Sequence, residues 1–115
     1  KGIKAIYTGA VNADRYLLTY MNARHNVAPN PPPVESLQEG LHIDEYYRYA
    51  EPSWDERKIN NVNQHFLTAF LGIHLKQKDY SKYLEIQENS NEEDWTGFKP
   101  RSSTGMELLH ATAVD

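Results

Sequence analysis

The stretch Arg15-Tyr-Leu-Leu-Thr-Tyr-Met-Asn-Ala-Arg-His-Asn-Val-Ala-Pro-Asn-Pro-Pro-Pro33 decides how this chain is read. Arg15 to Met21 is rich in Tyr, Leu and Thr, residues that suit a strand. Tyr16, Leu18 and Tyr20 would face one way, and Leu17, Thr19 and Met21 the other. Both faces are largely apolar, which predicts a strand covered on both sides. Pro29 to Pro33 holds four prolines in five residues, so helix and central strand are excluded and an extended path is expected. Between strand and prolines stands one histidine, His25. A loop histidine with a near-neutral pKa is suited to taking a proton from a nucleophile.

Upstream, Ile3, Ile6, Tyr7, Ala10 and Val11 fall on one helical face, predicting a short amphipathic helix over roughly residues 1 to 11. Asn12-Ala13-Asp14 carries turn chemistry. Downstream, residues 29 to 50 form a long Pro-rich and Tyr-rich loop, of the length that is usually functional or covers something. The strongest helix follows. Ser53-Trp54-Asp55-Glu56 fits a capping box, with Ser53 as N-cap and Glu56 reaching back. Ile59, Val62, Phe66, Ala69, Phe70 and Ile73 mark one face, and Leu67, Leu71 and Leu75 widen it almost around the helix. Such a helix is expected to be buried between layers or in an interface, ending near Lys76 to Lys78. Tyr80 to Gln87 reads as a second short helix with Tyr80, Tyr83, Leu84 and Ile86 inward. Residues 88 to 94 read as an acidic solvated loop. Met106 to Val114 is a strand or a short helix.

At 115 residues, 39% hydrophobic and with a mean hydropathy of -0.75, the chain has the size of one domain with a thin core. Eight Tyr and two Trp supply much of its apolar area. The formal charge is -4 and no Lys/Arg cluster occurs, so neither nucleic acid nor an anionic membrane is an expected partner. No cysteine is present, which excludes disulfides and thiolate metal sites. No apolar run approaches the roughly 20 residues of a membrane span. The chain begins at Lys1, so upstream residues, a signal peptide among them, stay open. The compartment is not readable.

Three segments carry a family resemblance. "DRYLLTYMNARHNVAPNPPP" (14–33), "AEPSWDERKINNVNQHFLTAFLGIHLK" (50–76) and "WTGFKPRSSTGMELLH" (95–110) resemble, in order, the C-terminal portion of the family of predicted dienelactone hydrolases in the α/β-hydrolase fold. The resemblance covers nearly the whole chain and includes the unusual words "NARHN", "NNVNQHF" and "FLGIHLK". It implies that Tyr16 to Met21 is the last core strand and that Ile3 to Val11 is the helix before it. It implies that Lys58 to Lys76 is the C-terminal helix on the sheet. It places His25 as the triad histidine. In this fold the nucleophile and the acid both precede that histidine. The 24 residues before His25 contain no serine and no cysteine, and Asp14 is their one carboxylate, a strand length away. The nucleophile-bearing part is absent from these residues.

The fold expected is therefore α+β: one domain with one or two strands and a long buried helix, completed by oligomerisation. A two-sided apolar strand and an all-round apolar helix exceed what 115 residues can bury, so a homodimer or higher homo-oligomer is expected. Three functions stay open. One is a truncated esterase-like hydrolase without catalysis of its own. Another is a small oligomeric binding or interaction protein reusing the hydrolase tail. The third is the ordered part of a longer serine or cysteine ester hydrolase. Candidate site residues are His25 as general base by resemblance, and Asn26, Tyr46, Tyr47, Tyr49 and Trp54 for a ligand or an interface. The bland reading of that aromatic group is packing over the core. No cofactor is implied. His65 and His74 lie nine residues apart on one helix, not at zinc-pair spacing, so no metal is expected. Asn60, Asn61, Asn63 and Gln64 form a polar collar, either solvated or bonded to loop backbone.

Overall fold

In the computed structural model, residues 2–25, 38–40, 42–44, 50–51, 53–85, 95–99 and 102–114 are described. They group into two compact units, one made of Lys1–Met21 with Glu85–Asp115 and the other of Asn22–Leu84.

The first unit is built on strand β1, Arg15–Tyr20. Its described partner is strand β2, Met106–Ala111, and the pair is antiparallel. The register runs from Arg15↔Ala111 to Tyr20↔Met106. The expected strand is present, and of the two readings left open for Met106 to Val114 the strand holds over Met106–Ala111, by its pairing with β1. In β2 the side chains of Met106 and Leu108 are buried, while Glu107 and Leu109 are half-buried, as period-two alternation requires. All of β1 is half-buried. Two faces of similar polarity are thus covered to a similar, partial degree. The facing pair Tyr16 and His110 stacks ring on ring, with centroids 4.1 Å apart.

Both ends of this ribbon are fastened. At one end Ala113 N–H donates to Asp14 Oδ1 at 3.1 Å and Val114 N–H donates to the Val11 carbonyl at 2.9 Å. There Arg15 Nη1 also donates to the carbonyls of Ala13 and Thr112, both at 3.1 Å. At the other end Met21 N–H donates to the Gly105 carbonyl at 2.8 Å. Gly105 sits at φ 82°, a left-handed conformation that costs glycine least. Trp95, Ser103, Met106 and Leu108 are the buried residues of this unit among those described.

Helix α1, Ile3–Gly9, forms where its periodicity predicts, but its apolar face is not covered. Ile3 is 75% exposed and Ile6 72%. Half-buried Tyr7 is the helix's inward residue, and its ring lies 5.6 Å under the Arg15 guanidinium.

The second unit is built on helix α2, Glu56–Lys76. Its N-cap is Asp55, not Ser53. The Asp55 carboxylate accepts from the backbone N–H of Arg57 at 2.9 Å and of Lys58 at 3.1 Å. Trp54 therefore precedes the helix and does not begin it. The helix ends at Gln77, held at φ 50°, and the N–H groups of Gln77 and Lys78 both donate to the Gly72 carbonyl. The buried residues Ile59, Val62, Phe66, Ala69 and Gly72 form one stripe. Each large apolar side chain buried there contributes about 1.5–3 kcal/mol.

The long helix is not buried all round. Leu67, Leu71 and Leu75 remain 58%, 45% and 73% exposed. A wide apolar arc says that cover is favourable. It does not supply the cover. Tyr80 to Gln87 is not an α-helix in its described part. Ser81–Tyr83 is a single 3-10 turn, and Leu84 is buried behind it. Ile86 and residues 88 to 94 lie outside the described residues. No described helix is long and apolar enough to cross a membrane.

Candidate functional site

Strand β1 stops at Tyr20, and Asn22 turns the chain at φ 59°. Asparagine tolerates this left-handed conformation better than most residues. Three residues later His25 stands exposed to solvent. Among the described residues no hydrogen bond or ion pair reaches its ring.

What fixes this loop is a carboxylate that sequence reading passed over. Glu51 is only 8% exposed. Its Oε2 accepts from the Arg24 backbone N–H at 2.6 Å, and its Oε1 accepts from the Ser53 backbone N–H at 3.0 Å. Its own backbone N–H donates to Glu56 Oε1 at 3.2 Å. One buried anion thus ties the residue before His25 to the approach of α2. A buried carboxylate needs such donors, because an unpaired one would forfeit hydration without return. Glu56 does reach back as a capping-box glutamate would, but to Glu51 and not to Ser53. That backward reach was the one signal that could have led to Glu51.

The arrangement bears directly on proton transfer. A triad acid orients its histidine by accepting from the second ring nitrogen. Both Glu51 oxygens are committed to backbone amides. Of Asp14, one oxygen, Oδ1, accepts from the Ala113 amide. His25 therefore has a strand-end position but no orienting carboxylate among the described residues.

Of the other candidates, Asn26, Tyr46, Tyr47 and Tyr49 lie outside the described residues. Trp54 is half-buried beside the N-terminus of α2, with Lys58 Nζ 5.9 Å over its ring. The histidines do not gather. His42, His74 and His110 are exposed, His74 against the Phe70 ring at 4.5 Å. No group of three metal-ligating side chains occurs among the described residues.

A second place has the shape of a site. An open groove of about 450 Å³ runs between α2 and the 3-10 turn. Asn61, Gln64, His65 and Thr68 line one wall, with Tyr80 and Tyr83 on the other and Ala69 as floor. The spacing of the helical residues, i, i+3, i+4 and i+7, puts them on one face. His65 meets Tyr83 edge to face at 5.6 Å, and Tyr80 meets Tyr83 in the same way at 5.9 Å. Burial lowers the His65 pKa from its ordinary 6.5, and a hydrogen bond with the Tyr83 backbone opposes the shift only in part. The imidazole is therefore neutral at pH 7. The polar collar of Asn61 and Gln64 was legible in the sequence. Its convergence with Tyr80 and Tyr83 was not.

No family model, curated protein or solved structure matches this chain.

Proposed function

We propose that this chain is a non-catalytic relative of the hydrolase tail it resembles, and that it acts as a binding or interaction protein. The observation that supports this is the commitment of Glu51. The buried carboxylate of the His25 loop holds backbone, while His25 stands in solvent without an orienting acid among the described residues. A proton relay needs a nucleophile within reach and a group that orients the second ring nitrogen. The test is hydrolysis of p-nitrophenyl acetate by the full chain and by His25→Ala. Equal rates are expected. A rate that depended on His25 and rose well above the buffer background would overturn the reading.

Self-association is the second part of the proposal. Its support is the stripe of Leu67, Leu71 and Leu75, exposed at i, i+4 and i+8 on one helix. A second copy across a two-fold axis covers such a stripe most economically. Light scattering at micromolar concentration should return a dimer or larger species, and Leu71→Glu should return a monomer. A monomeric parent chain would refute it.

A further inference from the structure

The groove between α2 and the 3-10 turn is the strongest unassigned feature of the molecule. Its walls differ in chemistry. The helical wall presents two amides and a hydroxyl, from Asn61, Gln64 and Thr68, spread over about 10 Å of helix. All three residues are exposed, so these groups face solvent and are available to a ligand. The opposite wall presents two phenol rings set edge to face.

The groove is preformed on its aromatic side. Gly72 lies directly against the Tyr80 ring: a Cβ built there would sit 2.5 Å from Tyr80 Cδ2 and 2.7 Å from Cε2. Tyr80 thus occupies the space that any other residue at position 72 would fill. Its ring is seated on the helix before a ligand arrives, which reduces the ordering cost of binding.

Charge narrows the ligand class. Among the described residues no carboxylate, lysine or arginine lines the groove, and His65 is neutral at pH 7. A charged ligand would shed water there without meeting a counter-charge from the lining residues. A cation is further disfavoured, because Lys82 Nζ already lies 5.0 Å over the Tyr83 ring. A purely apolar ligand would leave the amides of Asn61 and Gln64 covered and unpaired. What remains is a neutral molecule with a flat C–H face for one ring and hydroxyl groups along its rim for the amides.

We propose that this groove is a binding site for a neutral carbohydrate, one sugar ring lying on Tyr83 with Tyr80 against its edge and its hydroxyls toward Asn61, Gln64 and Thr68. The site is open to solvent, so affinity for one or two sugar units is roughly millimolar. This site is separate from the His25 loop, and its test is indifferent to the outcome of the ester assay.

The experiment is a ¹H–¹⁵N NMR titration of the full 115-residue chain. Cellobiose and maltose are the neutral probes, glucuronate and glucosamine the charged ones, and benzyl alcohol the apolar one. At least one neutral sugar should shift the side-chain amides of Asn61 and Gln64 and the backbone of Thr68, with saturation. Gln64→Ala and Thr68→Val change exposed residues and should leave the fold intact while weakening binding several-fold. Tyr83→Ala should weaken it about tenfold or more. Three results would overturn the proposal: no shift with either neutral sugar at tens of millimolar, tighter binding of a charged or apolar probe, or shifts that Gln64→Ala and Thr68→Val leave unchanged.

Discussion

Replacing Glu51 by alanine should remove the tie between the His25 loop and the start of α2. The side chain accepts two backbone hydrogen bonds, from Arg24 at 2.6 Å and from Ser53 at 3.0 Å. A hydrogen bond to a charged group contributes about 1.5–3 kcal/mol. The two residues that carry these amides are exposed, so part of the loss is recovered from water. A net destabilisation of about 2–3 kcal/mol follows, a large share of the 5–15 kcal/mol typical of a domain. With a urea slope of about 1–3 kcal/mol/M, the unfolding midpoint should fall by roughly 1–3 M at unchanged slope. Glu51→Gln is the sharper variant. Its amide keeps one acceptor and turns a donor toward the other N–H, so it should recover less than half of the loss. Hydrogen exchange gives the local reading: the Arg24 amide should be protected in the parent and unprotected in Glu51→Ala. A Glu51→Ala protein within about 0.5 kcal/mol of the parent, with Arg24 still protected, would refute the reasoning.

Three further outcomes are expected. Asp55→Ala should cost about 1 kcal/mol in urea unfolding, because two first-turn amides lose their acceptor, whereas Ser53→Ala should change stability by less than half of that. Gly72→Ala should destabilise by about 1–3 kcal/mol despite alanine's better helix propensity, because its Cβ collides with the Tyr80 ring; Gly72→Ala with Tyr80→Ala should restore part of the loss. Burial raises the Tyr20 pKa above its ordinary 10, so its contribution to stability is complete below about pH 10 and is lost as pH rises beyond that. Urea midpoints measured from neutral to strongly alkaline pH should show this decline, and Tyr20→Phe should flatten it.

The main elements were legible because each has a local cause. Tyr16 to Tyr20 is β-forming on both faces, and Ile59, Val62, Phe66 and Ala69 repeat at the helical period. The cap was misplaced by two residues because Ser53 and Asp55 are both good caps, and Glu56 sits at capping-box spacing from Ser53 alone. Geometry chose Asp55, whose carboxylate reaches two amides. The partner of β1 was not legible, since Met106 to Ala111 lies far along the chain and its pattern suits strand or helix. The exposure of Leu67, Leu71 and Leu75 was misjudged because hydrophobicity reports what a side chain favours and not what is there to cover it. In the candidate site, the loop that carries His25 was legible. Glu51 was not, since one acidic residue in a polar stretch carries no mark of burial.

The pairing of β1 with β2 also bears on the order in which the chain folds. The innermost pair, Tyr20↔Met106, encloses about 85 residues, and closing a loop of that length costs about 4 kcal/mol of chain entropy beyond a constant term. A six-residue ladder cannot meet that cost early, because its first hydrogen bonds return too little. Helix α2 and the turn that follows it use only neighbours in sequence and have no such barrier. Folding should therefore run from the middle of the chain outward, with the ribbon between its two ends closing last. The slow step should respond to the length of the intervening chain more than to the composition of the strands.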